Sequence, residues 1–225
     1  MKDVYHADLV KGAEFTEGEE YPIIRSCNLI PKKVIPFSKF TKTEDYNQVV
    51  HFYEPDDVIE RFGNNPHRYL ERLKKFGAVI TPDFSVYRDM PLVVQRHQTY
   101  LNRAFGFWLQ KNGVSIIPNV RYGDERTYSF CFDGVPQNSV ISIGTYGSMK
   151  RKEDIYYLIK GIPETIKQLR PKAILFYGTI VKDIEYILKS NDIAYHIYKS
   201  YTSTIFKKKT ILSYPLFDIL EEGIA

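Results

Sequence analysis

Cysteine and long apolar segments are both scarce in this sequence of 225 residues. The only two cysteines, Cys27 and Cys131, are far apart and match no metal-ligand spacing. No hydrophobic run approaches the roughly 18 residues that a membrane-spanning helix needs, and residues 1–15 lack the apolar core of a signal peptide. We therefore expect a cytoplasmic protein without a disulfide framework and without a membrane partner.

The motifs of several common enzyme classes are absent as well. The sequence contains no GxxxxGK(S/T) loop, no GxGxxG that opens a helix after a strand, and no GxSxG elbow. The histidines form no HExxH pair; they are His6, His51, His67, His97 and His196. These absences exclude a P-loop NTPase and argue against a dinucleotide-binding fold, an α/β-hydrolase and a zinc peptidase.

Neither sign of charge dominates the composition. Lysine and arginine number 31 against 27 aspartate and glutamate residues, which gives a formal net charge of +4 and a pI of about 8.8. A dedicated nucleic-acid binder is more basic than this. Aromatic residues are plentiful at 15%, with 18 Tyr and 14 Phe. Tyrosine suits cores and binding surfaces alike, and an AT-rich coding sequence explains such richness equally well.

The first 50 residues differ from the rest of the chain. They mix charges of both signs with Pro22, Pro31 and Pro36, and they show no sustained periodicity. This pattern favours an irregular N-terminal arm, or a few short strands, over residues 1–50. Residues 51–225 form the predicted main domain, and the chain length fits one domain with such an extension.

The main domain alternates between helical and strand patterns. Short helices are predicted after Pro55 and Pro66, and a long helix over Pro91–Asn112, where apolar residues recur at helical spacing. The other predicted elements are strands 78–81, 114–118, 140–143, 173–177 and 194–198 and helices 152–169 and 181–190. The alternation indicates an α/β fold: a parallel sheet of about 4–6 strands with βαβ crossovers, either an open doubly wound sheet or a partial barrel.

The segment Val114–Arg126 indicates a functional site. An apolar strand ends at Pro118, and strongly polar residues follow it. Because ligands of parallel α/β sheets bind beyond the carboxyl ends of the strands, we expect residues at neighbouring strand ends to share a cleft. The candidate ligand-binding residues of this cleft are Asn119, Arg121, Arg126, Thr145, Tyr146, Gly147 and Gly178.

Carboxylates in the same predicted cleft are candidates for acid–base catalysis. Asp83 follows one strand, and Asp124 and Glu125 follow the next, so two of them with separated pKa values could transfer protons. Two or three carboxylates could also hold Mg²⁺, which prefers oxygen ligands. The alternative is structural: residues 124–126 form a solvated loop with locally paired charges, and Asp83 caps a turn after Pro82.

Two basic features are candidates for contact with nucleic acid. Arg96 and Arg103 lie seven residues apart on one face of the long predicted helix, where they could follow a phosphate backbone with Tyr100 between them. The second candidate is a lysine run consisting of Lys207, Lys208 and Lys209. An ordinary solvated helix face and a solvated tail explain the same residues.

Four segments in a fixed order resemble a known protein family. They are ITPDFSVYRDMP (80–91), YLNRAFGFWLQKNG (100–113), IIPNVRYGDERTYSFCFDGVP (116–136) and SIGTYG (142–147). Together they resemble the family catalogued as domain of unknown function 4417, over roughly residues 60–200, with the first 50 residues outside the resemblance. Members occur in phages, plasmids and integrative elements of bacteria, so the resemblance implies a mobile-element setting. It implies no reaction, because the family has no catalytic residues to transfer to this sequence.

Two functional hypotheses follow. The first is a phage or mobile-element accessory protein whose polar cleft binds or processes a nucleotide or nucleic-acid ligand. The second is a non-catalytic module that binds DNA or a host protein. The concentration of polar residues at strand ends favours the first, and the oligomeric state stays open.

Overall fold

The computed structural model describes residues 6–201, in which short apolar runs form seven strands. The strands are β1 (Val34–Pro36), β2 (Val49–His51), β3 (Ala78–Ile80), β4 (Ile116–Ile117), β5 (Val140–Gly144), β6 (Ala173–Tyr177) and β7 (Ala194–Tyr198). The helices are α1 (Phe37–Phe40), α2 (Asp56–Asn64), α3 (His67–Leu73), α4 (Leu92–Lys111), α5 (Lys152–Leu169) and α6 (Lys182–Ser190), with 3₁₀ turns at Ala7–Val10 and Glu125–Thr127. No helix within residues 6–201 is both long enough and apolar enough to cross a bilayer.

All the strand pairs are parallel, which confirms the predicted α/β class. One sheet has the order β1-β2-β3-β4, and the other has the order β5-β6-β7. An isolated parallel bridge between Asn119 and Ser142 joins the ends of the two sheets. There the Val120 amide donates to the Ser142 carbonyl at 2.9 Å, and the Ser142 amide donates to the Pro118 carbonyl at 2.8 Å. The strands therefore follow one another in space in the order of the sequence.

The strands curl round into a partial barrel. The ring of Tyr53, just after β2, stacks on that of Tyr177, at the end of β6, with 5.0 Å between the centroids. In a flat sheet, strands four positions apart would be separated by about 19 Å. The His51 and Tyr177 rings are closer still, at 4.1 Å. Of the two predicted architectures, the rolled one is therefore the one that forms.

Successive side chains along each strand point to opposite faces of the sheet, so the core has an inner part and an outer part. Inside the curve, one apolar cluster contains Val49, Ile80, Ile117 and Leu175. Residues of opposite parity pack outward against the helices in two further clusters. On α4, Phe105, Trp108 and Leu109 are buried in one of these clusters, which confirms the predicted apolar stripe.

The first 50 residues contribute to the sheet directly. Val34–Pro36 pairs with Val49–His51, and β2 in turn pairs with β3, so the predicted boundary at residue 50 falls inside β2. Further upstream, the carbonyl of Cys27 accepts a hydrogen bond from the Val140 amide at 2.7 Å, at the start of β5. Cys27 therefore lies against the amino end of β5.

Candidate functional site

The ends of β3 and β4 bring three of the expected site residues into one cluster. Asp83 lies three residues beyond β3, and Asn119 and Arg121 follow β4, its neighbour in the sheet. The side-chain amide of Asn119 donates to Asp83 Oδ1 at 2.7 Å, and Arg121 Nη1 donates to Asp83 Oδ2 at 2.8 Å. Both carboxylate oxygens therefore have a partner, and the carboxylate is held in one orientation.

This cluster is largely removed from water. The side chain of Asp83 is 10% exposed and that of Arg121 is 22% exposed. Burial raises the pKa of the Asp83 carboxyl, although the charge of Arg121 and the hydrogen bond from Asn119 oppose the rise. A buried ion pair of this kind costs desolvation energy and is strongly destabilised when one partner is removed. Asp83 and Arg121 therefore depend on each other for their placement.

Tyr53 connects the cluster to β5. Its hydroxyl lies 3.0 Å from Asn119 Oδ1 and 2.7 Å from Ser142 Oγ. Burial raises the pKa of Tyr53 well above its ordinary value, so the hydroxyl stays protonated. A Cβ atom on Gly144 would lie 2.6 Å from the Tyr53 ring. Because residue 144 has no side chain, the ring can lie flat against β5 and reach Asn119.

A second set of hydrogen bonds holds Asn119 on the side of helix α4. The Asn119 amide donates to Thr81 Oγ1 at 2.8 Å, and that hydroxyl lies 3.2 Å from Asn102 Oδ1. The Asn102 amide group donates to the Pro82 carbonyl at 2.6 Å. Helix α4 thus contacts the end of β3 through Asn102, and Thr81 links this contact to Asn119 after β4.

Arg103 lies inside the protein, so the predicted basic face of the long helix does not form. Its guanidinium donates to the carbonyls of Cys131 at 2.6 Å and Asp133 at 2.8 Å, and it is almost fully buried. Burial lowers the pKa of Arg103 to about 10. Arg96 is partly exposed and pairs with Glu19 at 3.0 Å. The expectation that Arg96 and Arg103 together follow a phosphate backbone is therefore wrong.

A cleft of about 270 Å³ opens next to Arg121. Its walls are the loop after β3, the end of β4, the turn after β5 and the start of α5; among the lining residues are Tyr87, Arg88, Arg121, Gly123, Gly144, Gly147, Ser148, Lys150, Asp154 and Tyr157. Asp83 does not line the cleft but holds Arg121 from behind. The predicted strand-end location of a cleft thus matches this cavity, whose walls come from four elements.

Three cationic side chains face this cleft in different states of pairing. Arg88 forms ion pairs with Glu153 and, at 2.7 Å, with Asp154, and its guanidinium lies 4.6 Å from the ring centre of Tyr157. Arg121 is held by Asp83. Lys150 is exposed and makes no hydrogen bond or ion pair within the described residues. Sequence reasoning missed Arg88 and Lys150, although both follow predicted strands within ten residues.

The loop 124–126 is held by local charge pairs. Asp124 accepts from the Arg126 amide at 3.1 Å and from its guanidinium at 2.8 Å. Burial raises the pKa of Asp124, but the hydrogen bonds from Arg126 outweigh it and leave the pKa lowered. Glu125 is half-exposed and pairs with Lys160 at 2.7 Å, and the hydrogen bond from Lys160 lowers its pKa. No hydrogen bond or ion pair among residues 6–201 joins this loop's carboxylates to Asp83, so their catalytic role stays a prediction.

The expected site residues that follow β5 and β6 form a tight turn. They are Thr145, Tyr146, Gly147 and Gly178. Thr145 donates from its amide to the Tyr177 carbonyl at 2.9 Å. Gly178 has φ of +124°, and a Cβ there would lie 2.8 Å from the Tyr146 amide nitrogen. Glycine at 178 therefore lets the end of β6 approach the turn after β5. Of this group only Gly147 lines the cleft.

Two further expectations receive no support from the described residues. Within 6–201 there is no group of three or more histidine, cysteine, aspartate or glutamate side chains that could hold a metal ion. The Mg²⁺ site therefore stays a prediction without a matching ligand cluster. Lys207, Lys208 and Lys209 lie outside the described residues.

The comparisons with known proteins identify relatives in phages. The Gene 1 protein of Mycobacterium phage L5 is 30% identical over 171 residues, which make up 74% of this chain and 74% of that protein. The Gene 1 protein of Mycobacterium phage D29 is 29% identical over 165 residues, which make up 72% of this chain and 61% of that protein. The match thus covers less than two thirds of the D29 protein. No solved structure matches the chain.

The match to a protein family covers most of the sequence. A family model described as a domain of unknown function, DUF4417, matches residues 13–196. The expectation that the first 50 residues lie outside the family is therefore wrong, and β1 and β2 are part of the shared domain. The chain belongs to the DUF4417 family, a family of unknown function with relatives encoded by mycobacteriophages.

Proposed function

We propose that this protein binds a small phosphate-bearing ligand of the nucleotide class in the cleft beside Arg121. The observation that carries the proposal is the presence of three cationic side chains, Arg88, Arg121 and Lys150, on one cavity at the carboxyl ends of parallel strands. Ligands of α/β sheets bind at this end of the strands. Guanidinium and ammonium groups are the usual donors to phosphate oxygens.

Carboxylates pair with two of these three cations. Under the proposal, the cleft therefore binds its ligand through hydrogen-bond donors of fixed direction rather than through a strongly positive electrostatic field. A guanidinium has five N–H groups, and Arg121 uses one of them on Asp83. The carboxylates of Asp83, Glu153 and Asp154 balance the three positive charges of the cleft region. Binding would therefore depend on directional hydrogen bonds from Arg121 and on the ammonium of Lys150, which is unpaired within residues 6–201.

The size of the cleft and the aromatic residues that line it favour a small ligand with a planar part. A volume of about 270 Å³ lies near the lower end of the range for ligand pockets. Tyr87 is about half exposed at the rim, and Tyr157 lines the wall. A nucleobase can stack on an exposed tyrosine ring at a favourable energy. A mononucleotide satisfies both the cations and the rings.

Binding is better supported than processing of the ligand. A proton-transferring carboxylate must reach the ligand, and Asp83 is separated from the cleft by its partner Arg121. The mobile-element setting expected from the family resemblance and the cytoplasmic location expected from the sequence belong to the same proposal. The alternative, a non-catalytic DNA-binding or host-protein-binding module, has lost the basic helix face on which part of it rested.

Thermal unfolding with nucleotides tests the proposal. AMP, UMP, ATP and a single-stranded oligonucleotide are added to the full chain, with and without Mg²⁺. A ligand at 100 times its Kd stabilises the folded state by about 2.7 kcal/mol, which corresponds to a rise in Tm of about 5–10 °C for a chain of this size. We expect this rise for a mononucleotide.

Two matched lysine variants locate the binding. Lys150→Gln removes the unpaired cation of the cleft, and we expect about 10-fold weaker nucleotide binding, as for one charge-assisted hydrogen bond. Lys182→Gln removes an exposed cation at the start of α6, outside the cleft, and leaves the affinity unchanged. Equal effects of the two variants, or no response to any nucleotide, overturn the proposal. A response to the oligonucleotide alone supports the DNA-binding alternative.

A further inference from the structure

The first and last strands of the partial barrel do not pair with each other within the described residues. β1 pairs with β2 alone, and β7 pairs with β6 alone. Between these two edge strands lies a groove of about 380 Å³, here called the seam groove, lined by Val34 from β1, Ile197 and Tyr198 from β7, and His51 and Tyr177. It shares no lining residue with the cleft beside Arg121.

His51 supplies a buried hydrogen-bond donor without a partner at this groove. Its Nδ1 accepts from the Tyr53 amide at 3.2 Å, so the ring proton of the neutral imidazole is on Nε2. Burial lowers the pKa of His51 to about 3, which keeps the ring neutral. Nε2 has no hydrogen-bond partner among residues 6–201. A buried donor without a partner is rare in folded proteins, and it calls for an acceptor that residues 6–201 do not supply.

The aromatic walls of the seam groove are held in place. The Tyr177 ring lies against that of His51, and its hydroxyl accepts from the Tyr201 amide at 3.0 Å. The Tyr198 hydroxyl donates to the Pro31 carbonyl at 2.6 Å. Because both phenol groups are anchored at their hydroxyl ends, the two rings form groove walls of fixed orientation. Such surfaces favour a planar partner.

The charges at the rim of the groove are positive. Lys33 and Lys199 both line it. Lys33 pairs with Asp45 at 3.0 Å, whereas Lys199 makes no hydrogen bond or ion pair with any residue in 6–201. Among residues 6–201 no acidic side chain lines the groove, and the acidic charges nearest to it are those of Asp45, which pairs with Lys33, and Glu54, which acts on Tyr177. The rim is therefore suited to a negatively charged group.

We infer that the seam groove is a second ligand site, for a planar organic anion. The flat body of the ligand lies between the Tyr177 and Tyr198 rings, its charged group lies beside Lys199, and one of its oxygens accepts a hydrogen bond from His51 Nε2. An aromatic carboxylate and a nucleoside monophosphate share this chemistry. This inference does not depend on the cleft beside Arg121.

Nuclear magnetic resonance of the ¹⁵N-labelled full chain, titrated with benzoate, tests the inference. We expect amide shifts at residues 33–35 and 197–201 and none at residues 121–123 and 147–150. Cyclohexanecarboxylate keeps the charge without the flat ring, and benzamide keeps the ring without the charge. Each is expected to bind about 10-fold more weakly than benzoate. A second titration with UMP separates the two ligand sources, since shifts at the seam groove identify a nucleotide and their absence identifies an aromatic acid.

Variants at the seam groove complete the test. Lys199→Gln is expected to weaken benzoate binding about 10-fold, through loss of one charge-assisted hydrogen bond. Lys189→Gln, at an exposed lysine on α6 that pairs with Glu185, is the matched control and leaves binding unchanged. His51→Phe keeps a ring but removes the donor, and it weakens binding to a similar extent. Absence of seam shifts at millimolar benzoate, or wild-type affinity in Lys199→Gln, overturns the inference.

Discussion

Gly144→Ala tests whether the Asp83 cluster depends on the approach of Tyr53 to β5. Gly144 has no positive φ, so its backbone accepts alanine. The new Cβ, however, would lie 2.6 Å from two atoms of the Tyr53 ring and 3.5 Å from Asp83 Oδ2. Extra atoms in a close-packed interior cost about 1–3 kcal/mol. For a chain of this length, that corresponds to a fall in Tm of about 2–12 °C.

Gly147→Ala is the matched control in the same turn. A Cβ at position 147 meets no atom within 4 Å. Replacing glycine by alanine at a compatible position stabilises a protein by about 0.4–1 kcal/mol, because the unfolded chain loses freedom. Urea denaturation of the two variants should therefore separate them by at least about 1 kcal/mol, with Gly144→Ala the less stable.

A double variant identifies the cause of the difference. Tyr53→Leu shortens the side chain that the new methyl group would meet, so Gly144→Ala should cost less in that background. The expected coupling energy is about 1 kcal/mol or more, as for residues in direct contact. Nucleotide affinity should fall in Gly144→Ala as well, because Asn119 and Asp83 lose the support of the Tyr53 hydroxyl. Equal stabilities of the two alanine variants, or no coupling to Tyr53, would refute the reasoning.

Three further predictions concern charged or titrating side chains. Arg103→Ala should lower the free energy of unfolding by about 3 kcal/mol or more, because buried carbonyls lose charge-assisted hydrogen bonds; Arg96→Ala should cost about 1 kcal/mol or less, and urea denaturation compares the two. Glu125→Ala removes an exposed ion pair with Lys160 and should leave nucleotide affinity unchanged. A loss of affinity measured by calorimetry would show that Glu125 takes part in binding. The folded-state pKa of His51 is depressed to about 3, so its contribution to stability is present above pH 6.5 and is lost as the pH falls toward 3, by up to about 1.4 kcal/mol per pH unit. His51→Phe should show a shallower acid dependence of the unfolding free energy, and equal slopes would contradict the buried neutral state.

The sequence predicted best those elements whose ends are marked by local chemistry. The strands Ala173–Tyr177 and Ala194–Tyr198 and the helix Lys152–Leu169 have the predicted bounds. Each is an apolar or amphipathic run with polar or proline residues at its ends, so the local pattern and the final environment agree. The helices after Pro55 and Pro66 also begin where the prolines indicate.

β1 and β2 could not be recognised in the same way. Each has three residues, and neither is long enough to show a period of two. Their strand character comes from pairing, β1 with β2 and β2 with β3, which local sequence does not encode. Tyr53 was missed for a related reason, since it follows β2 as Asp83 follows β3. Recognition of β2 as a strand would have added Tyr53 to the predicted strand-end residues.

Arg103 shows how tertiary contacts override helical spacing. A seven-residue interval places Arg96 and Arg103 near one face of α4, and that part of the prediction follows from helix geometry. The segment around Cys131 packs over Arg103, and the Cys131 carbonyl accepts a hydrogen bond from its guanidinium. The buried neighbours of Arg103 on its own helix face, Thr99 and Gly106, are uncharged. That local context was the one sequence signal of an inward-facing arginine.

Asp83 contacts Arg121 but does not itself line the cleft. This placement bears on whether the polar residues at the strand ends act in catalysis or in binding. Both oxygens of the carboxylate accept hydrogen bonds, from Asn119 and from Arg121, and a proton taken up by Asp83 would remove the charge that pairs with Arg121. Breaking that contact would leave the buried Arg121 charge uncompensated, at a cost of several kcal/mol. The same contact orients the Arg121 side chain, which lines the cleft. Asp83, which the sequence nominates for catalysis, is therefore better explained as the partner that holds Arg121 in place, and under the proposed function Arg121 would act as an oriented donor to the ligand.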